Sequence, residues 1–190
     1  MKYLVLLVVF AAGYFAAHFG GRTAAADSER PTPANTSIDM PGFLKVAQEA
    51  SAHRESRRIT EEEFLKMSRE EGTIILDARS KEMYDLLHVK GAINLSFPDI
   101  DAVTLPKILP DKKARILIYC NNNFTAAPDA PGGREGAATE AFRPKRKVAS
   151  LNISTYIALY AYDYRNVYEL APLTDLAKSK LTFESTPKVK

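Results

Sequence analysis

The stretch Ile116-Leu117-Ile118-Tyr119-Cys120-Asn121-Asn122-Asn123 decides how the rest of the chain is read. Four apolar residues in a row, without polar alternation, describe a strand buried on both faces. The run then meets a cysteine and three asparagines. Consecutive Asn are poor helix and strand formers, and Asn tolerates left-handed backbone better than most residues. The pattern predicts a strand over 116–119 that ends in Cys120 and opens a polar loop. In open α/β sheets, sites gather beyond the carboxyl ends of strands. A loop whose N–H groups point inward can stabilise a thiolate or hold an anion.

Working outward, similar strands appear on both sides. Upstream, Thr73-Ile74-Ile75-Leu76 runs into Asp77-Ala78-Arg79-Ser80, a second buried strand with polar residues at its C-terminal end. Before it, Thr60 and Glu63 have capping-box spacing, and Ile59 and Phe64 fit a hydrophobic staple. They start a helix that Gly72 stops. Lys81 to Leu87 is a short helix, His88-Val89-Lys90-Gly91 a turn, and Ala92 to Leu95 a strand. Asp99 to Leu109 predicts a short helix limited by Pro106 and Pro110. Downstream, Ala149 to Tyr162 reads as an apolar, Tyr-rich helix and Val167 to Leu170 as a fourth strand. Short apolar strands alternating with helices argue for a parallel sheet covered on both faces, an α/β fold.

The segment after Cys120 breaks this rhythm. Residues 124–147 hold Pro128, Pro131, Gly132, Gly133 and Gly136 and read as a long insertion. A loop of this length inside a compact domain is usually functional or disordered. It returns through Arg143-Pro144-Lys145-Arg146-Lys147. Cations there, above all Arg143, Lys145 and Arg146, would favour a thiolate and attract anions if the run ends near the site mouth. The alternative is a solvated charge run.

The remaining organisation follows from composition. Of 190 residues, 46% are apolar, which suits a globular core. Residues 1–26 carry Lys2, a long apolar run from Tyr3, and Ala24-Ala25-Ala26 before Asp27. They read as a signal peptide, with an uncleaved membrane anchor as the alternative. Either way the remainder faces the far side of the membrane, in the periplasm or outside the cell. Without that segment 24 basic residues face 23 acidic ones, which is no footprint for nucleic acid. Residues 27–58 read as a linker and a peripheral helix near Gly42 to Arg57, with His53 exposed. Residues 59–172 read as the domain and 173–190 as a C-terminal tail. Cys120 is the one cysteine, so it cannot pair within the chain. An unpaired cysteine in an exported chain suggests an intermolecular bridge or a reactive thiol.

Together the motifs resemble the rhodanese-like family. The matches are Asp77-Ala78-Arg79, His88-Val89-Lys90-Gly91-Ala92-Ile93-Asn94-Leu95, Ile118-Tyr119-Cys120 and Tyr164-Arg165-Asn166-Val167-Tyr168, in family order from about Ile59 to Leu170. The resemblance implies a three-layer α/β/α domain with a mostly parallel central sheet. It also implies that Cys120 takes sulfane sulfur as a persulfide and passes it to a thiol or cyanide. Asn121, Asn122, Asn123, Phe124 and Thr125 would form the active-site loop, with Asp77 and Arg79 in support. No metal or organic cofactor is implied. The partners would be a small sulfur-containing anion and a thiol acceptor. Three features depart from the family pattern: Cys120 to Thr125 holds no basic residue or glycine, Ala171-Pro172 replaces a Gly pair, and Asp163 replaces a Gly. The alternative function is a non-catalytic binding or regulatory module that uses the 124–147 insertion to hold a protein partner. Phosphatase chemistry ranks below both, because no Arg follows Cys120 before Arg134 to hold phosphate oxygens.

Overall fold

Two five-residue runs, Thr73–Asp77 and Arg115–Tyr119, lie side by side in parallel and form the centre of the sheet. The computed structural model describes residues 35, 37–125 and 137–187. The expected signal, nearly all of the expected linker and the middle of the insertion lie outside the described residues. In chain order the elements are α1 (Met40–Glu55), β1 (Arg58–Ile59), α2 (Glu61–Ser68), β2 (Thr73–Asp77), α3 (Lys81–Leu86), β3 (His88–Val89) and β4 (Ile93–Asn94). There follow α4 (Leu105–Ile108), β5 (Arg115–Tyr119), β6 (Phe124–Thr125), α5 (Ala137–Ala141), α6 (Leu151–Ala161), β7 (Val167–Leu170), β8 (Thr174–Asp175) and β9 (Phe183–Glu184). The chain divides into two units, residues 1–38 and 39–190. Of the first, only a turn is described, in which Ser37 N–H donates to Asn35 Oδ1 (3.0 Å).

The main sheet has the order β1-β7-β5-β2-β4, and every pair in it is parallel. Successive strand residues point to opposite faces, and each face carries its own core. Ile75, Leu117, Tyr119 and Leu170 pack on one face with Phe64 of α2 and Ala141 of α5. Leu76, Ile116, Ile118 and Val167 pack on the other with Ala50 of α1 and Tyr156 and Leu159 of α6. The result is the three-layer α/β/α arrangement. Burial on both faces is why these strands read as continuous apolar runs.

Local signals at α2 act as the sequence predicts. Thr60 N–H donates to Glu63 Oε2 (2.8 Å), and Glu63 N–H donates to Thr60 Oγ1 (3.2 Å). Gly72, past the helix end, takes φ of 75°, and Gly91 in the turn takes 79°, both favoured by the lack of a Cβ. The helix predicted over 99–109 splits into a 3₁₀ turn at Phe97–Asp99 and α4.

Three expectations are corrected. Residues 173–187 are no tail: β8 pairs with β6, β9 pairs antiparallel with β3, and Leu176 and Leu181 are buried. The described ends of the insertion are structured, since Phe124 forms β6 and Ala138, Ala141 and Phe142 enter the core. His53 is half-buried instead of exposed: its Nδ1 lies 2.8 Å from the Tyr156 hydroxyl. Burial, with Arg57 and Arg165 nearby, lowers its pKa below the ordinary 6.5. Burial also pushes Tyr156 up to about 12. Polar contacts of this kind dock α1, which fully buries only Ala50.

Candidate active site

Parallel strands bring their C-terminal ends to one edge, so Asp77 and Tyr119 are register partners. Cys120 therefore emerges beside the Asp77–Arg79 turn. Asp77 and Arg79 are both buried, and they meet as a forked pair. Arg79 Nε donates to Asp77 Oδ1 (2.9 Å) and Arg79 Nη2 to Asp77 Oδ2 (2.6 Å). Arg79 Nη1 donates to the carbonyl of Ala141 and Nη2 also to that of Leu87, each at 2.8 Å. The Tyr119 hydroxyl donates to Asp77 Oδ2 (2.5 Å) and accepts the Val89 N–H (3.0 Å). Burial, with the Asp77 charge beside it, holds the Tyr119 phenol well above the usual 10.0. Burial alone would lower the Arg79 pKa, but hydrogen bonding and charge from Asp77 outweigh it and the net shift is upward. Arg79 also lies over the Phe142 ring, 4.3 Å from its centroid. This network ties α3, the end of α5 and the cysteine strand together. It engages all three guanidinium nitrogens.

The cysteine loop is a tight turn. Asn121–Asn123 forms one turn of 3₁₀ helix. Among the described residues the only non-glycine with positive φ is Asp163 (68°), so the expected left-handed Asn backbone is absent. Asp163 stands where the family pattern has glycine, and Asp tolerates that conformation better than most residues. Asn122 N–H donates to Cys120 Sγ (3.4 Å), and the Ser150 hydroxyl lies 3.3 Å from the same sulfur. Ser150 is the N-cap of α6, but its side chain makes no capping bond. Its hydroxyl serves the sulfur instead.

Asn123 fixes the floor of the turn. Its Oδ1 accepts from Cys120 N–H (2.9 Å) and from Asn152 Nδ2 (2.9 Å), and its Nδ2 donates to Leu170 O (2.6 Å). Asn122 faces outward and clasps the returning chain. Its Nδ2 donates to Lys145 O (2.8 Å), and Lys145 N–H donates to its Oδ1 (3.1 Å). Asn121 Nδ2 reaches Ala141 O (3.4 Å). Phe124, read as loop, is core: its ring meets Phe142 at 4.9 Å and Phe183 at 5.2 Å. Thr125 is exposed.

Cys120 itself is 1% exposed. Two cavities flank it. One, of about 640 Å³, is lined by Arg58, Asn122, Lys145, Lys147, Ser150 and Asn152. The other, of about 580 Å³, is lined by Arg79, Ser80, Ser96, Asn121, Arg143 and Lys145. Cys120 lines neither, while Pro144 and Lys145 line both, so the return segment runs between them. Of the basic run, Arg143, Lys145 and Lys147 reach these walls and Arg146 does not. All four are exposed. His88 is turned away from this chemistry: its Nδ1 bonds Tyr84 O (2.7 Å) and its ring stacks on Tyr84 at 3.7 Å. Among the described residues no cluster of His, Cys, Asp and Glu could hold a metal ion. Nor is any described helix long and apolar enough to cross a membrane.

Sequence reasoning missed Ser150, Asn152 and Tyr119. A signal existed for Ser150, a serine directly before an apolar helix that follows the cysteine loop. Nothing local points to Asn152.

The family model for the rhodanese-like domain matches residues 60–170. The chain belongs to the rhodanese-like domain family. A rhodanese of E. coli, solved with anions, is 20% identical over 60% of this chain and 98% of its own length, with a TM-score of 0.37. A protein of Bacillus halodurans is 23% identical over 68% of this chain and 76% of its own, with a TM-score of 0.38. The thiosulfate sulfurtransferase of Pseudomonas aeruginosa is 19% identical over 70% of this chain, with a TM-score of 0.39, and this chain spans only 20% of it. No curated protein matches the chain.

Proposed function

We propose that this chain is an exported sulfurtransferase of rhodanese type in which Cys120 carries sulfur as a persulfide. The observation that carries the reading is the placement of Cys120 Sγ at the end of β5, with the Asn122 N–H and the Ser150 hydroxyl directed at it. Two hydrogen-bond partners on one sulfur suit a sulfur that bears negative charge during reaction. The thiolate attacks the outer sulfur of a donor such as thiosulfate. A new S–S bond forms, the donor's S–S bond breaks, and sulfite leaves with the bonding electrons. Cyanide or a thiolate then attacks the outer sulfur of the Cys120 persulfide and releases Cys120 as thiolate. The two steps balance without an external oxidant or reductant.

The sealed sulfur sets a condition on this chemistry. Cys120 is 1% exposed, so a donor reaches it only after local opening, and the 143–147 segment held by Asn122 is the cover this reading assigns to that opening. The Asn122–Lys145 clasp is two neutral hydrogen bonds, together contributing about 1–3 kcal/mol. That is a small barrier to opening. Export is the second part of the proposal and rests on residues 1–26, and protein recovered outside the cytoplasm should begin at Asp27. The test of the chemistry is thiocyanate formation from thiosulfate or another sulfane donor and cyanide. The wild-type chain should turn over and Cys120→Ser should not. Equal thiocyanate from both would refute the assignment, and no turnover with any donor would favour a non-catalytic module.

A further inference from the structure

The second cavity, of about 580 Å³, carries charge of both signs that the sulfur chemistry does not use. Arg143 and Lys145 line it from the return segment, and Glu82 lines it from the first turn of α3. All three are exposed, and none has an ion-pair partner among the described residues. Two cations and a carboxylate thus share one cavity without closing on one another. A cavity of this size, with opposite charges left apart, has room for a small organic ligand that carries both.

A buried group in the same lining points to the same chemistry. Asn121 is 5% exposed and lines the cavity, yet its Oδ1 has no hydrogen-bond partner. Its Nδ2 is directed to Ala141 O. A buried acceptor left unpaired is costly, so it marks a place where a ligand N–H fits. Apolar surface completes the lining: Met83, Phe97 and Leu151 are half-buried there, and covering them further is favourable. The lining therefore asks for three things in one molecule. They are an ammonium for Glu82 and Asn121, a carboxylate for Arg143 and Lys145, and an apolar body for Met83, Phe97 and Leu151.

We propose that this cavity binds a free α-amino acid with an apolar side chain, as a ligand that is not itself transformed. The site goes beyond sulfur transfer and does not depend on it. Its occupant governs access to the cysteine. Arg143 and Lys145 belong to the segment assigned as the cover of Cys120, and the Lys145 backbone is held by Asn122. A carboxylate that engages both side chains, on a molecule also tied to α3, favours the closed position of that segment. A ligand that binds the closed state better shifts the population toward it, so the amino acid is a brake on Cys120.

Titration of L-phenylalanine into the full chain by calorimetry tests the site, and binding is expected. Phenethylamine lacks the carboxylate and hydrocinnamate lacks the ammonium. Each should bind about tenfold or more weakly than L-phenylalanine through lost charge-assisted hydrogen bonds. N,N,N-trimethyl-L-phenylalanine keeps both charges but offers no N–H to Asn121, and should also bind more weakly. Arg143→Gln and Glu82→Gln, both at exposed positions, should each weaken L-phenylalanine by a similar factor. Glu82→Gln should leave hydrocinnamate unchanged, and Lys66→Gln, an exposed cation on α2, should leave L-phenylalanine unchanged. No binding of L-phenylalanine, or hydrocinnamate binding as tightly, overturns the proposal. In a second arm Cys120 is alkylated with iodoacetamide. Saturating L-phenylalanine should slow the reaction severalfold in the wild type and not in Arg143→Gln. An unchanged or faster rate with the ligand bound overturns the brake. If Cys120 takes up no persulfide, the sulfurtransferase reading fails, and both arms still decide this site.

Discussion

Two hydrogen-bond clusters flank Cys120, and they are built on opposite principles. On one side the charged pair Asp77 and Arg79 and the neutral phenol of Tyr119 are fully buried and held by fixed partners. On the other side Asn122 and Lys145 meet through neutral amides at an exposed edge. Removing one partner of a buried ion pair strands the other charge in a poor solvent. Removing one partner of an exposed neutral pair lets water take its place. The first cluster is therefore an anchor, and the second a clasp that can open. The difference shows how one strand end can hold a cysteine rigidly while leaving its cover releasable.

The predictions test that contrast. The largest effect is expected for Arg79→Met, which leaves Asp77 buried and unpaired and should cost about 3–5 kcal/mol in urea unfolding. A loss under about 1 kcal/mol would mean the anchor is solvated, against the contrast. Tyr119→Phe removes one bond to Asp77 and one from Val89 N–H, and should cost about 1–3 kcal/mol. Asn122→Ala should change stability by less than about 1 kcal/mol and yet speed alkylation of Cys120, because its loss frees the return segment. Slower or unchanged alkylation would show that the clasp does not govern access. The smallest effect calibrates the scale through a half-buried contact away from both clusters. His53 has its pKa lowered in the fold, so the unfolded chain binds more protons below 6.5. Stability should therefore fall slightly as pH drops through 6.5 and be unaffected above it. Comparing urea midpoints of the wild type and His53→Gln across that range reads the contribution.

How much of this was legible in the sequence follows from where the information lies. The three long strands, β2, β5 and β7, were readable because burial on both faces leaves continuous apolar runs. The α2 start was readable because a capping box is local. β1, β8 and β9 were not, since two residues carry no period and their pairing comes from distant strands. The C-terminal segment looked like a tail because its anchoring residues, Leu176 and Leu181, stand singly among polar neighbours. At the site, Cys120, Asp77 and Arg79 were placed by strand ends. Ser150 and Asn152 were not, because only the packing of α6 against β5 brings them to the loop.

The most direct measurement of the central claim is the intact mass of the protein after incubation with a sulfane donor. The account predicts a gain of one sulfur, reversed by cyanide or reductant and absent in Cys120→Ser. A folded protein whose Cys120 alkylates readily and gains no sulfur from any donor would contradict it.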